Sequence, residues 1–495
     1  MSAPSSETLG GTGRLPTGVM PQIRRMLLEP ERNPRPAWKD DLARISRVDL
    51  AHVVMLAERG IIDRQAAGRL LEAVLDLRRG DFAPIEGRPM PRGLYLAYEG
   101  YLIERLGADV GGVLHTGRSR NDLGATCFQL ALRIPYARLC SQLAALGVVL
   151  LGRARRYRAT LMPAYTHFQG AVPITFGHYL LGLATAFERD LAALMAGGGV
   201  LDRCPLGAGA VGGTTISIDA GRTAALLGFT GPALNSVDAV ASRDAALRLL
   251  GAAAIAGVTL DRAALDLLLW STREYGYLTV PDSLVGSSSM MPQKRNAFVL
   301  EHVQGRSAHA AGAFVTGITA MRGTSFTNSI SVGTEGVAPT LAALQATADA
   351  VEILRLVVAG VRPNPEAMSA ATRAGLTEAT AVAEWLVRQG MPFRRAHYEV
   401  GVAVRAVLSG GAASLWEALG RPEKWPSELA SGQIWEAASF GGGPGPASFE
   451  AAFGVLVDAW LAHRAALAAR RAHWAAADVE LDWAVCRLLT DVNRP

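Results

Sequence analysis

Lysine is almost missing from this 495-residue chain: of 49 basic residues only Lys39, Lys294 and Lys424 are lysines, and the rest are arginine. Cysteine is scarce as well. Cys127, Cys140, Cys204 and Cys486 are widely spaced, with no CxxC pair and no histidine cluster at metal-ligand spacing. That pattern indicates neither zinc nor a disulfide framework and leaves reduced, structural thiols. Charged residues make up only 19% and aromatics 6%, while half the chain is apolar, which excludes disorder over most of its length. No uncharged apolar run reaches the roughly 18 residues of a bilayer span. The longest, Leu139 to Gly152 and Leu249 to Leu260, read as buried helices. The N-terminus lacks a basic start followed by an apolar stretch, so a cytoplasmic protein is expected. The net charge is +5 without any run of five or more basic residues, which reads as solvated surface rather than a nucleic-acid stripe.

What is abundant is helical patterning. Residues 1–20 read as a disordered N-terminus. From about Pro36 to Gly80 apolar residues recur at helical spacing, with Gly60 between two segments, and residues 21–118 are read as an N-terminal helical domain. Long Ala/Leu-rich stretches dominate residues 119–364: Thr126 to Thr160, Ile174 to Met195, Ala239 to Tyr275, Asn296 to Met321 and Leu341 to Val361. They predict a central bundle of extended helices. Leu247 to Leu269 is apolar on nearly every face, as a helix enclosed by others requires, and this suggests burial between subunits too. Residues 365–495 are read as a C-terminal helical domain, with FGGGPGP at 440–446 a flexible linker before a last helix, Phe449 to Leu489. The fold class expected is all-α in three parts.

Four polar segments lie between the long helices. In Gly286 to Asn296, GSSSMMPQKRN, a lysine stands six residues after a serine in a chain that otherwise avoids lysine. A compact point charge suits that place. A serine acts as a base only if its alkoxide is stabilised by a cation, by backbone N–H groups, or by both. In His115 to Asp122, HTGRSRND, two arginines, hydroxyls and an amide crowd the start of a bundle helix. Ser119 or Asn121 there reads as a helix cap, as part of a carboxylate site, or as both. In Thr166 to Pro173, THFQGAVP, His167 sits in a polar cluster between two expected helices, and Glu301 follows the serine loop, so the two suit an orienting pair. The four glycines of Pro205 to Asp219 offer backbone donors for an anion, a weak signal alone.

Together these segments resemble the aspartase/fumarase superfamily, and its argininosuccinate lyase branch in particular. HTGRSRND, THFQGAVP and SSMMPQKRN carry the likeness, and it extends through PLGAGAVGGTT, NSVDAVASRD and residues 375–401. The resemblance implies an all-α three-domain subunit in a homotetramer, with each active site built from three subunits. It implies elimination of fumarate from a succinyl adduct, with no metal or organic cofactor. Ser288 would remove the Cβ proton, and Lys294 with Asn296 would stabilise the aci-carboxylate intermediate. His167, held by Glu301, would assist proton transfer. Ser119, Arg120, Asn121, Thr166, Gln169, Ser289 and Met291 would contact the substrate. An enediolate carries extra negative charge that fixed cations and donors stabilise selectively.

The departures fall on substrate-facing loops. Family members carry a tyrosine, a glutamine and a lysine downstream of the serine loop that recognise the arginine half. Here Asn328 stands at the tyrosine, and Gly333 and Gly336 stand at or near the other two. Ser287 replaces a glycine, Asn296-Ala297-Phe298 replaces Asn-Pro-Asp, Leu123 replaces a glutamine, and a WGGRF-like motif is missing. The expected function is therefore a C–N lyase that eliminates fumarate from an N-substituted L-aspartate, or runs in reverse, with an amine other than arginine. An ordinary argininosuccinate lyase and a catalytically silent structural or binding homologue are the alternatives. Retention of Ser288, Lys294, His167 and Glu301 speaks against silence.

Overall fold

Seven buried positions in a row, Leu50 to Leu56, six of them apolar and the other His52, lie inside one helix and are enclosed by neighbours on every side. The computed structural model describes residues 15, 17–29, 35–420, 429 and 433–492. A short helix α1, Pro21–Leu27, precedes α2, Ala37–Glu58, and α3, Arg64–Arg79. Asp63 caps α3 by accepting the backbone N–H groups of Gln65 and Ala66. Helices α2 and α3 with α4, Leu94–Leu106, build the N-terminal core around Leu70, Leu71 and Tyr98, while Ile23 of α1 sits in the bundle core.

The central bundle consists of α5, Arg120–Arg156; α6, Phe176–Gly197; a short α7, Ala220–Leu226; α8, Ser236–Ala241; α9, Asp244–Trp270; α10, Phe298–Met321; and α11, Thr340–Gly360. Small residues let these helices approach closely: a Cβ on Gly257 of α9 would stand 2.5 Å from the Ser307 carbonyl of α10. Shorter helices follow: α12, Pro365–Ala374; α13, Ala379–Arg388; and α14, Phe393–Leu408. The last two form a small separate core around Val382, Leu386 and Val400. The fold is all-α, as the patterning predicts.

Four local readings change. Ala239 to Tyr275 is not one helix, because the chain breaks at Ser242 and Arg243 between α8 and α9. The THFQGAVP connection is a β-hairpin, β1 Leu161–Thr166 paired antiparallel with β2 Gln169–Thr175. Its short strands carry too few alternations to stand out from flanking helices. The C-terminal region is not one body. Helix α15, Pro446–Val492, is 47 residues long and spans about 70 Å at the rise of an α-helix. Its first half seats Phe449, Leu456 and Trp460 in the bundle core, and its far end places Leu481, Val485 and Leu488 in the N-terminal core. The supposed linker before it is a hydrogen-bonded turn, with Gly445 N–H donating to the Ala438 carbonyl at 3.0 Å.

Most of the expected disordered N-terminus, residues 1–14 and 16, lies outside the described residues. Leu15, Val19 and Met20 pack against the bundle core, and Met20 N–H donates to the Ser283 carbonyl at 2.9 Å. By length and composition α5 and α15 are apolar enough to cross a membrane, but most of the apolar window of α5 lies inside the core. All four cysteines are free, and burial pushes the Cys140 and Cys204 thiols up to about 12, so they stay protonated.

Candidate active site

The first polar segment folds as a cap. Ser119 is the N-cap of α5, and its hydroxyl accepts the Asn121 N–H at 3.2 Å. Three residues on, the Asp122 carboxylate accepts the Ser119 N–H at 2.9 Å, which completes a capping box. The other oxygen of Asp122 accepts the N–H groups of Gly207 and Gly209 at 3.0 and 2.9 Å. The glycine-rich segment does wrap backbone donors around an anion, and part of that anion site is filled by the chain's own carboxylate. Burial pushes the Asp122 carboxyl above its ordinary range, against the pull of the backbone N–H groups. Beside it Asn121 donates to the Ala210 carbonyl at 3.4 Å, while Arg120 is exposed with one long bond to the Arg92 carbonyl.

Behind this corner stands an assembly that the sequence reading did not single out. Arg118 and Asp49 form a fully buried ion pair at 2.6 Å, and Arg118 also donates to the Tyr95 hydroxyl at 3.1 Å. Tyr95 in turn meets His115 Nδ1 at 2.9 Å and Glu99 at 3.0 Å. The signal available in the sequence was the acid at Asp49 inside an otherwise apolar helical run, since a buried acid requires a partner.

The second segment is the tip of the hairpin. Thr166 pairs with Gln169, and between them His167 and Phe168 both take the left-handed conformation, with φ of 50° and 62°. Two such residues in a two-residue turn give the twist of a type I′ hairpin, a place usually given to Asn-Gly. Non-glycine residues there cost of order 1–3 kcal/mol each, and such strain gathers at functional positions. Thr166, His167 and Gln169 are exposed, and Phe168 is 75% exposed. The sequence reading missed Phe168 as part of this presented tip.

The third segment is a loop closed at its base by two backbone hydrogen bonds between Gly286 and Asn296, each 2.8 Å. Asn296 donates its amide to the Ser287 carbonyl at 3.4 Å. Inside the loop the Ser288 hydroxyl accepts the Met291 N–H at 3.0 Å and the Met290 N–H at 3.4 Å. Those N–H groups supply one of the two stabilisers a serine alkoxide needs. Ser288 is half-buried, whereas Ser289, Met291 and Lys294 are exposed. Arg295 anchors the loop by donating to the Val280 carbonyl at 2.9 Å and by pairing with Asp282. A cavity of about 590 Å³ opens beside it, lined by Gln293, Arg295, Arg273 and Thr279.

Glu301 is exposed in the first turn of α10, beside a groove of about 540 Å³ shared with Phe298, His302, Arg306 and His309. Among the described residues no hydrogen bond or ion pair joins His167 to Glu301, or any of the three segments to another. Within one subunit a hydrogen bond links Ser119 with Asn121, strand pairing sets Thr166 opposite Gln169, and Ser288 and Asn296 share one loop. No three His, Cys, Asp or Glu side chains among the described residues are placed to hold a metal ion.

The segment at the expected amine side has its own geometry. Gly333 lies within a single π-helical turn, Ser331–Glu335, and Gly336 caps it. A Cβ on Gly336 would stand 2.8 Å from the Ser331 carbonyl and 2.9 Å from Met321, and one on Gly333 would stand 3.0 Å from Asn328 Oδ1. Gly336 has no room for a side chain against the Ser331 carbonyl, whereas at Gly333 the nearest atom belongs to the Asn328 side chain.

A model of the lyase family matches residues 64–312, half of the chain, and one of the argininosuccinate lyase C-terminal family matches residues 376–418. The chain is 34% identical to argininosuccinate lyase 1 of Shouchella clausii over 403 residues, covering 81% of this chain and 80% of that protein. It is 38% identical to argininosuccinate lyase of Methanoculleus marisnigri over 360 residues, covering 72% and 73%. Among solved structures it is similar to an EDDS lyase variant with bound fumarate, with a TM-score of 0.88 at 26% identity over 97% of this chain and 98% of the other. Class II fumarase of Schistosoma mansoni shares the fold, with a TM-score of 0.66 at 17% identity over 81% and 89%. The chain therefore belongs to the argininosuccinate lyase branch of the fumarate lyase superfamily, and it is a carbon–nitrogen lyase that releases fumarate.

Proposed function

We propose that this lyase eliminates fumarate from an N-substituted L-aspartate whose amine is not arginine, or adds such an amine to fumarate in reverse. The observation that carries the reading is the closed packing at Gly336, in the segment where the resemblance puts side chains that hold the arginine half. The residues that the resemblance assigns to the fumarate half, Ser288, Lys294, Asn296 and His167, are all present in the sequence.

Three subunits of a homotetramer would assemble each site. Supporting this, the capping corner, the hairpin tip and the serine loop each present polar groups outward, and the bundle exposes Ile255 and Val258 on α9 and Val315 on α10. In the assembled site Ser288 removes the Cβ proton, its alkoxide stabilised by the Met290 and Met291 N–H groups and by Lys294. The resulting aci-carboxylate carries extra negative charge, which Lys294 and Asn296 stabilise. The Cα–N bond then breaks, the electron pair leaves with the amine, and His167, oriented by Glu301, assists proton transfer. Ser119, Arg120, Asn121, Thr166, Gln169, Ser289 and Met291 hold the carboxylates of the succinyl half. No cofactor takes part, and the enzyme would act in the cytoplasm.

Ser288→Ala tests the chemistry. Loss of the base lowers turnover by about a hundredfold or more with the oligomer intact. Wild-type rates of fumarate release in that variant would remove Ser288 from the mechanism. The second reading, turnover of argininosuccinate itself, is favoured by the names of the 34–38% identical relatives.

A further inference from the structure

Helices α5 and α15 pack tightly at Gly147, where a Cβ would stand 2.5 Å from the Trp460 ring. One turn further along α15 they border a cavity of about 440 Å³, with α11 as its third wall. Its floor is alkyl, made by Ala144, Ala145 and Val148 from one face of α5 and by Leu467 from α15. Three arginines face it: Arg464 and Arg471, two turns apart on α15, and Arg355 on α11. No Asp or Glu is among the described residues that line it.

Other arginines close by have partners. Arg470 pairs with Asp202 at 3.0 Å and donates to the Gly198 carbonyl at 2.8 Å, and Arg138 pairs with Asp349 at 2.7 Å. The acids near the cavity are likewise engaged. Glu352, one turn before Arg355, accepts from Gln142 at 3.2 Å and pairs with Arg138, and Glu188 is held by His463 at 2.7 Å. By contrast Arg355, Arg464 and Arg471 make no hydrogen bond and no ion pair among the described residues, and Arg355 Nε is buried without a partner. A buried donor of that kind calls for an acceptor from outside the chain. Three cations around one cavity repel each other and attract an anion.

We propose that this cavity is a binding site for an organic phosphate. A phosphate monoester presents several acceptor oxygens to several guanidinium forks at once, and its dianion answers more of the three charges than a monocarboxylate does. The alkyl floor takes the apolar body of the ester, which inorganic phosphate lacks. Ser141, on the same face of α5, adds a hydroxyl to the wall. That residue lies about 30 Å along α5 from Asn121, at the rise of an α-helix. The proposal is therefore independent of which amine the lyase takes.

The test is isothermal titration of the full-length enzyme with phenyl phosphate and with inorganic phosphate, in saturating fumarate so that binding at a succinate-like site is competed away. Wild-type enzyme binds phenyl phosphate at one site per chain, about tenfold or more tighter than inorganic phosphate, from laying the ring on the apolar floor. Arg464 and Arg471 are exposed, so the double variant Arg464→Gln with Arg471→Gln keeps the fold. It weakens phenyl phosphate by about a hundredfold or more, roughly tenfold or more for each charged hydrogen bond lost. Arg69→Gln, at an exposed arginine of α3, leaves binding unchanged. No binding by wild type in fumarate, equal affinity for the two probes, binding that survives the double substitution, or equal weakening by Arg69→Gln would overturn the proposal.

Discussion

The hydroxyls of Tyr165 and Tyr277 meet at 2.5 Å, which ties the hairpin carrying His167 to the segment that leads into the Ser288 loop. Tyr275 packs edge-on against both rings, with centroids 6.0 and 5.4 Å away. Two elements far apart in sequence thus share one small aromatic platform.

Removing that link through Tyr277→Phe leaves the Tyr165 hydroxyl without its partner and costs about 1 kcal/mol of stability. Thermal unfolding should show a small drop in Tm, and fumarate release should fall several-fold. Unchanged kinetics with an unchanged Tm would mean that the platform does not position the hairpin.

The Asp122 carboxylate organises the glycine-rich segment. Asp122→Ala strands the buried N–H groups of Gly207 and Gly209 and should cost roughly 2 to 4 kcal/mol, read from urea unfolding. Asp122→Asn keeps one acceptor oxygen and should cost less. Equal stability of all three proteins would contradict the capping account.

His52 gives the fold a pH dependence of defined sign. Its ring donates to the Thr116 carbonyl at 2.8 Å, and burial, then the Arg118 charge, lowers it from 6.5 to about 3. The folded state therefore keeps His52 neutral while the unfolded chain takes up a proton below pH 6.5. The stability it contributes is complete above pH 6.5 and is lost as pH falls toward 3, by up to about 1.4 kcal/mol per pH unit. His52→Gln keeps a donor to Thr116 without the titration, so its stability should fall less steeply over that window. Parallel curves for the two proteins would refute the assignment.

Assembly should be required for activity. Ile255 on α9 is 62% exposed in the single subunit, and Ile255→Glu places a charge on the apolar bundle face. Light scattering should then show smaller particles, with fumarate release lost although Ser288 and His167 are untouched. A fully active monomer would contradict a site built from three subunits.

The long helices were legible because each carries its apolar residues at helical spacing over many turns. Helix α15 was legible as a helix but not as a strut, since nothing in its own pattern says that Trp460 and Val485 enter different cores. The hairpin was hidden because it is short and is set by two left-handed residues, His167 and Phe168, that carry no glycine signal. The serine loop announced itself through Lys294, and the capping box through the spacing of Ser119 and Asp122. Arg118 with Asp49, and Arg355 with Arg464 and Arg471, are long-range juxtapositions that only the folded chain brings together.

The most direct test of the central claim follows the ultraviolet absorbance of released fumarate when purified enzyme meets argininosuccinate and, separately, a panel of other N-substituted aspartates that includes EDDS. The account predicts fumarate release from a non-arginine adduct and little or none from argininosuccinate. Efficient turnover of argininosuccinate, with the rest of the panel inert, would contradict it.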